Sequence, residues 1–285
     1  MSVQSRRGAS PRVRRRRALI VLAALGLLIV GIIAVVLGGL SGRAAVPSAT
    51  PTASESPDAL PAEPTEPPRP SPSAPPEPTP AATFNRAAHS IDDPDSIWVV
   101  VDKLRPLNPV DYTPADLVEV PVPFDNPPRL RDEAADAVVD LFAAFTAETG
   151  LALQSQSAYR DFHVQTRIYN QDVANLGQAG ADLSTARPGT SEHQTGLTID
   201  ISARPGQCSL NACFADTPHG QWLSANAWRF GFLLRYPADK TAVTGYEFEP
   251  WHFRYIGVDL AAEMHRTGVT TLEEFFGLPA APAYD

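Results

Sequence analysis

Between Ala44 and Thr83 the chain is dominated by Pro, Ala, Ser, Thr and Glu, with Pro-Pro at 67–68 and again at 75–76. Such a stretch has too little apolar side chain to bury a core and is expected to be a solvated spacer of partly polyproline character. Anything that needs a hydrophobic interior must therefore lie to one side of it. The C-terminal side offers about 200 residues, room for one domain. Fully extended at about 3.1 Å per residue, the 40 residues of the spacer reach on the order of 120 Å.

The N-terminal side is of a different kind. Arg6, Arg7, Arg12 and the cluster Arg14–Arg17 precede an uncharged apolar run from Ala18 to Leu40. Roughly 20 apolar residues span a bilayer as a helix, and the positive-inside rule keeps the arginines cytoplasmic. The expected layout is a cytoplasmic basic tail at 1–17, a single transmembrane helix at 18–40 and a linker at 41–83, with the rest of the chain outside the cell. A cleaved signal peptide is the rival, since Gly42-Arg43-Ala44 offers a small-x-small site, but signal h-regions usually run about 7–15 residues and this run is longer. Setting aside the eight arginines of residues 1–43 leaves 15 basic against 32 acidic residues, a net of −17. So acidic a body excludes nucleic acid as an expected partner, because nothing would neutralise phosphates.

Residues 84–128 hold an apolar strand candidate, Ile97–Val101, among several prolines, and suit an extended arm packed on a domain at 129–278. A short tail, 279–285, follows. Leu130–Thr149 repeats apolar residues at helical spacing and stops at Gly150. Leu151–Tyr159 reads as a strand, His163–Leu176 as a helix, 179–190 as a loop. Thr217-Pro218 opens another helix, with Trp222, Ala225 and Trp228 inward. Phe232–Tyr236 and Pro250–Ile256 read as strands, Leu260–Thr267 and Leu272–Phe276 as closing helices. Helices and strands without a regular βαβ rhythm predict an α+β fold with a small, mostly antiparallel sheet flanked by helices. Cys208 and Cys213 are the only cysteines. A close pair outside the cell is expected to be a disulfide, ahead of free thiols or a metal site.

The chemistry concentrates in two places. In Ser191-Glu192-His193-Gln194-Thr195-Gly196-Leu197-Thr198-Ile199-Asp200-Ile201, alternation from Leu197 onward predicts a half-buried strand with Asp200 on its polar side. His193 then lies in the loop leading in, and Gly196 lets that loop fold back. In Glu249-Pro250-Trp251-His252-Phe253-Arg254-Tyr255, Trp251, Phe253 and Tyr255 face a core while His252 and Arg254 face away. His193, Asp200 and His252 fill the ligand list of a catalytic zinc site, which keeps three protein ligands and an open position. Glu249 is placed to be a base; its bland alternative is a salt bridge with Arg254. Glu247 is a rival base at longer spacing from His252. Glu192 points away if its neighbours point in, and is left structural. His163 and His265 are expected at the surface, and His219 at the surface or capping its helix.

These segments closely resemble the zinc D-alanyl-D-alanine carboxypeptidases of the VanY type, which are related to the D-Ala-D-Ala dipeptidases. The resemblance is carried by Ser157-Ala158-Tyr159-Arg160, Gln165, Ala186-Arg187-Pro188-Gly189, residues 191–196, Asp200 and residues 249–255, and spans roughly residues 97–278. Ala158 stands where glycine is common, and Asp161-Phe162 where Ser-Tyr is common. The resemblance implies a Hedgehog/DD-peptidase-like fold and Zn2+ held by His193, Asp200 and His252. It implies Glu249 as general base and acid, with Arg160 near the scissile carbonyl. Ser191 and Gln165 are implied near the terminal D-residue, with Ser157 and Tyr159 on the substrate side. The implied reaction is removal of the terminal D-Ala from peptidoglycan stem peptides. An L,D-carboxypeptidase or an endopeptidase would apply the same chemistry to another bond. A non-catalytic wall-binding module is the rival from another class, although it has no need of a base beside the metal.

Overall fold

The alternating run after Gly196 becomes strand β4 (Thr198–Arg204). In this computed structural model, which describes residues 83–285, β4 pairs antiparallel with β3 (Ala152–Ser157) on one side and β6 (His252–Tyr255) on the other. The strand β5 (Phe232–Leu234) joins the far side of β6, and the order β3-β4-β6-β5 is antiparallel throughout. A separate ribbon pairs β1 (Leu117–Glu119) with β2 (Arg129–Arg131). With helices around the sheet, the expected α+β architecture holds. The basic tail, the apolar run at 18–40 and the linker up to residue 82 lie outside the described residues. Among the described residues no helix is long and apolar enough to cross a membrane.

Side chains alternate across a strand, so Leu197, Ile199, Ile201 and Ala203 go to one face, where they join Leu153 and Phe253 in the core. That core extends into helix α1 (Asp132–Thr149) through Ala134, Val138, Leu141, Phe142 and Phe145. Gly150 ends α1 at φ 70°, a left-handed conformation that glycine adopts without steric cost. Asp200 and His252 go to the other face. The polar side of β4 is closed rather than half open, and Thr198, Asp200 and Ser202 are all buried. The cause is the 3-10 turn Glu192–Thr195, whose side chains come back onto this face: His193 meets Asp200, and Glu192 meets His252 and Arg254. Gly196, at φ 70°, makes the reversal; a Cβ there would sit 2.8 Å from Leu117 Cδ2.

Helix α2 (Phe162–Ser184) begins where the Asp161 carboxylate accepts a hydrogen bond from the Val164 amide at 2.6 Å. It does not stop at Leu176. After a kink at Gly177 the helix resumes and takes up much of the expected loop 179–190. Tyr169 donates to Asp182 at 2.7 Å and Thr185 to Asp172 at 2.6 Å, tying the two halves together. Ile97–Val101 is buried over most of its length yet forms no strand, because arginine side chains take its carbonyls. Arg254 holds those of Ile97 and Val99, and Arg105 holds that of Val100.

Helix α3 (Pro218–Asn226) is capped by the Thr217 hydroxyl, which accepts from the Gly220 amide. That leaves His219 free to turn inward, and it is buried against Phe145 with ring centroids 5.3 Å apart, not on the surface. Leu223 and Ala227 are the buried positions here, while Ala225 is exposed; the helical repeat breaks where the chain tightens into a 3-10 turn at Ala227–Phe230. The closing helices are α4 (Val258–Thr267) and α5 (Leu272–Phe276). Cys208 and Cys213 form a disulfide in the loop after β4. His163 and His265 are exposed, His265 stacked on Trp228.

Candidate metal and catalytic centre

The register of the sheet sets Asp200 of β4 directly opposite His252 of β6. His193 reaches the same point from the 3-10 turn, so three side chains from two distant stretches converge. His193 Nε2 lies 3.3 Å from Asp200 Oδ2, and His252 Nδ1 lies 3.5 Å from Asp200 Oδ1. One ligand atom from each residue falls within 4.8 Å of the other two. Ligands about 2.0–2.2 Å from a tetrahedral ion are separated by about 3.4 Å, so the spacing around Asp200 fits a cation. Asp200 Oδ1 is buried without a hydrogen bond of its own, an unmet acceptor that a cation would satisfy.

Each imidazole is oriented from behind. His193 Nδ1 sits 2.7 Å from the Ala158 carbonyl, which fixes the proton there and leaves the Nε2 lone pair aimed at the centre. His252 Nε2 sits 3.4 Å from Glu192 Oε2, leaving Nδ1 to face Asp200 and Glu249. Burial, then the Arg160 charge, pushes His193 down to about 4, so it is neutral at neutral pH. Burial also works against the charge on His252, but Glu192, Glu249 and Asp200 outweigh it and lift the ring to about 9. Asp200 is held at about 2: burial opposes ionisation, and His193, His252 and Arg160 overcome it.

Glu249 Oε2 is 3.2 Å from His252 Nδ1. Burial raises its carboxyl above the ordinary value and the Asp200 charge adds to that, against the pull of His252 and Arg160. The alternative, a salt bridge with Arg254, is absent among the described ion pairs, since Arg254 turns to Glu192 instead. Arg160 is anchored by its amide, which donates to the His193 carbonyl at 3.2 Å. Its buried Nε has no hydrogen-bond partner, and the charges acting on the guanidinium are led by Asp200 and Glu249. Burial lowers its pKa, but a guanidinium stays charged at neutral pH.

The centre opens into a cleft of about 450 Å³ lined by Arg160, Ser191, His193, Asp200, Glu249 and His252, with Tyr236 and Tyr246 also on its walls. Ser191 lines this cleft. Gln165 is buried one layer back, donating to the Ala186 carbonyl at 2.8 Å, and supports a cleft residue instead of lining the space. Ser157 lies across from Asp200 in the β3–β4 pairing but is not a cleft residue. Tyr159 is turned away: its amide pairs with the Arg129 carbonyl and its ring lines a separate cavity with Thr113 and Phe162. Glu247 reaches the cleft but is exposed and makes no ion pair with His252.

Two residues packed against His252 do not follow from alternation. Glu192 is fully buried behind His252; a 3-10 turn has three residues per turn, so neighbours do not alternate and Glu192 and His193 both turn inward. Tyr236 packs its ring 4.6 Å from that of His252. Burial raises its phenol well above the ordinary value, so it remains a hydrogen-bond donor.

Residues 127–258 match the sequence profile of the VanY family, described as D-alanyl-D-alanine carboxypeptidase. A D-alanyl-D-alanine carboxypeptidase of Enterococcus faecalis is 34% identical over 202 residues, 68% of this chain and 70% of the relative. Among solved structures, the LdcB LD-carboxypeptidase superposes with a TM-score of 0.60 at 40% identity, covering 65% of this chain and 87% of that one. The vancomycin-resistance D,D-pentapeptidase VanY, in a mutant form complexed with Zn(II), gives a TM-score of 0.53 at 32% identity, covering 62% and 97%.

Proposed function

The chain belongs to the VanY family of zinc-dependent D-alanyl-D-alanine carboxypeptidases, and from that premise we propose that it removes the terminal D-alanine from peptidoglycan stem peptides. The observation that carries the reading is Glu249, a buried carboxylate beside three side chains grouped closely enough to hold a metal ion. His193 through Nε2, Asp200 and His252 through Nδ1 would hold the ion. Lewis acidity is what zinc supplies there when bound. Glu249 takes the proton of the attacking water and returns it to the departing amine, two jobs that one group performs in sequence. Arg160 holds a fixed positive charge where the oxyanion develops. Tyr236 and Ser191 offer hydroxyls to the peptide from the cleft walls. The test is incubation of the purified protein with a pentapeptide ending in D-Ala-D-Ala, with and without chelator. Chelator-sensitive release of D-alanine is expected, and its absence would count against the reading.

A second reading has its own support, the 40% identity and higher TM-score with an LD-carboxypeptidase. On it the substrate is a tetrapeptide stem. Mass spectrometry of digested penta- and tetrapeptide stems separates the two by which one is shortened.

The pH dependence of metal binding follows from His252. Its ring, at about 9 in the metal-free protein, carries a proton at neutral pH that must leave before Nδ1 binds zinc. Affinity should therefore rise with pH by about tenfold per unit up to about pH 9 and then level off. Competition with a chelator of known protonation measures this, and a flat profile from pH 7 to 9 would exclude the assignment.

We also place the enzyme at the cell membrane, anchored through residues 18–40 with the catalytic domain on the wall side, the Pro-rich linker giving it reach. Support comes from the arginine-flanked apolar run and the linker composition. After fractionation the full chain should stay in the membrane pellet through a carbonate wash; recovery in the soluble fraction would contradict this.

A further inference from the structure

We propose that Glu192 is the positioning residue for His252: its carboxylate holds the imidazole in the tautomer that presents Nδ1 to the metal. The inference rests on the ligand set given above and extends it to a residue that touches neither substrate nor ion. An imidazole that offers the Nδ1 lone pair must carry its proton on Nε2, and the acceptor facing His252 Nε2 is Glu192 Oε2, at 3.4 Å.

The rest of the cluster explains why that oxygen is available. Glu192 Oε1 is taken twice, by Arg235 Nε at 2.8 Å and by Arg254 Nη1 at 3.1 Å. Arg235 spends its two remaining nitrogens on both oxygens of Glu273 in α5, at 3.0 and 2.7 Å. Arg254 finishes its donors on the carbonyls of Ile97, Val99 and Tyr255. All four charged side chains have no solvent exposure. Two guanidinium charges meet two carboxylates, so the cluster is neutral, and every guanidinium nitrogen has an acceptor, which favours a rigid buried network. A purely structural ion cluster would need only the Glu–Arg contacts. Here Oε2 is left over from them and aimed at the imidazole. An anionic acceptor behind a ligating histidine fixes its ring and raises its basicity, and losing one typically costs 10- to 100-fold in metal affinity.

The test compares zinc affinity, by chelator competition, and melting temperature in E192Q, E273Q and H252A. E192Q should bind zinc about 10- to 100-fold more weakly, while E273Q, which damages the same cluster without touching His252, loses melting temperature but keeps near-wild-type affinity. Wild-type affinity in a folded E192Q, or equal losses in E192Q and E273Q, would overturn the proposal. H252A checks the ligand set separately: if it keeps full affinity, the ligand assignment fails and the positioning role with it. Should E192Q not fold, the wild type still decides. In long-range proton–nitrogen spectra of the zinc-loaded, 15N-histidine-labelled protein, His252 should carry its proton on Nε2, and a bare or metal-bound Nε2 would overturn the proposal.

Discussion

Glu249→Gln should retain its zinc and lose turnover by about 10²- to 10⁴-fold, the usual contribution of a general acid–base group. Glutamine keeps the shape and one hydrogen-bond acceptor but does not take up a proton. Three other side chains are grouped closely enough to hold the ion, so it is not expected to leave with the charge. The carboxylate lies 3.2 Å from His252 Nδ1 and is raised by burial, so its proton is bound and released closer to neutral pH than that of a free glutamate. Glu247 does not substitute, being exposed and without an ion pair to His252. Kinetics of D-alanine release and elemental zinc analysis on the same preparation check both halves. Unchanged turnover would remove Glu249 from the mechanism, and zinc lost together with turnover would make it a ligand.

Arg160→Ala should lower kcat by about 10²- to 10³-fold, the loss typical of one oxyanion donor in a water-poor site. The guanidinium is buried with an unpartnered Nε and faces Asp200 and Glu249. On the proposed mechanism that charge is available to the oxyanion of the substrate. Arg160→Lys should recover only part of the loss, since an ammonium keeps the charge but not the planar fork. If Arg160 served only to neutralise neighbouring carboxylates, alanine would lower the melting temperature and leave kcat in place.

How much of this was legible depended on whether a local period carried it. The shared face of Asp200 and His252 was, because alternation assigns both to the side opposite Ile199 and Phe253 without knowledge of the rest of the fold. Their register was not: nothing local says that Asp200 falls opposite His252. Glu192 points inward and not away, because its segment is a 3-10 turn to which a period of two does not apply. The Arg235–Glu273 and Arg254–Glu192 pairs join residues 38 and 62 positions apart, and charge composition at that range looks like ordinary surface. Helix α2 outran its expected end for a similar reason, since the hydrogen bonds that carry it past Gly177 link Tyr169 to Asp182 and Asp172 to Thr185 across the break. Tyr159 sits beside Arg160 in the resembling segment, yet the two line different cavities.

The central claim is that one zinc ion sits between the two histidines and the aspartate. Anomalous diffraction from zinc-loaded crystals at the zinc edge addresses it most directly. The expected result is a single strong peak about 2.0–2.2 Å from His193 Nε2, an Asp200 oxygen and His252 Nδ1. A peak bound elsewhere, or none at these three residues in a preparation that still releases D-alanine, would contradict it.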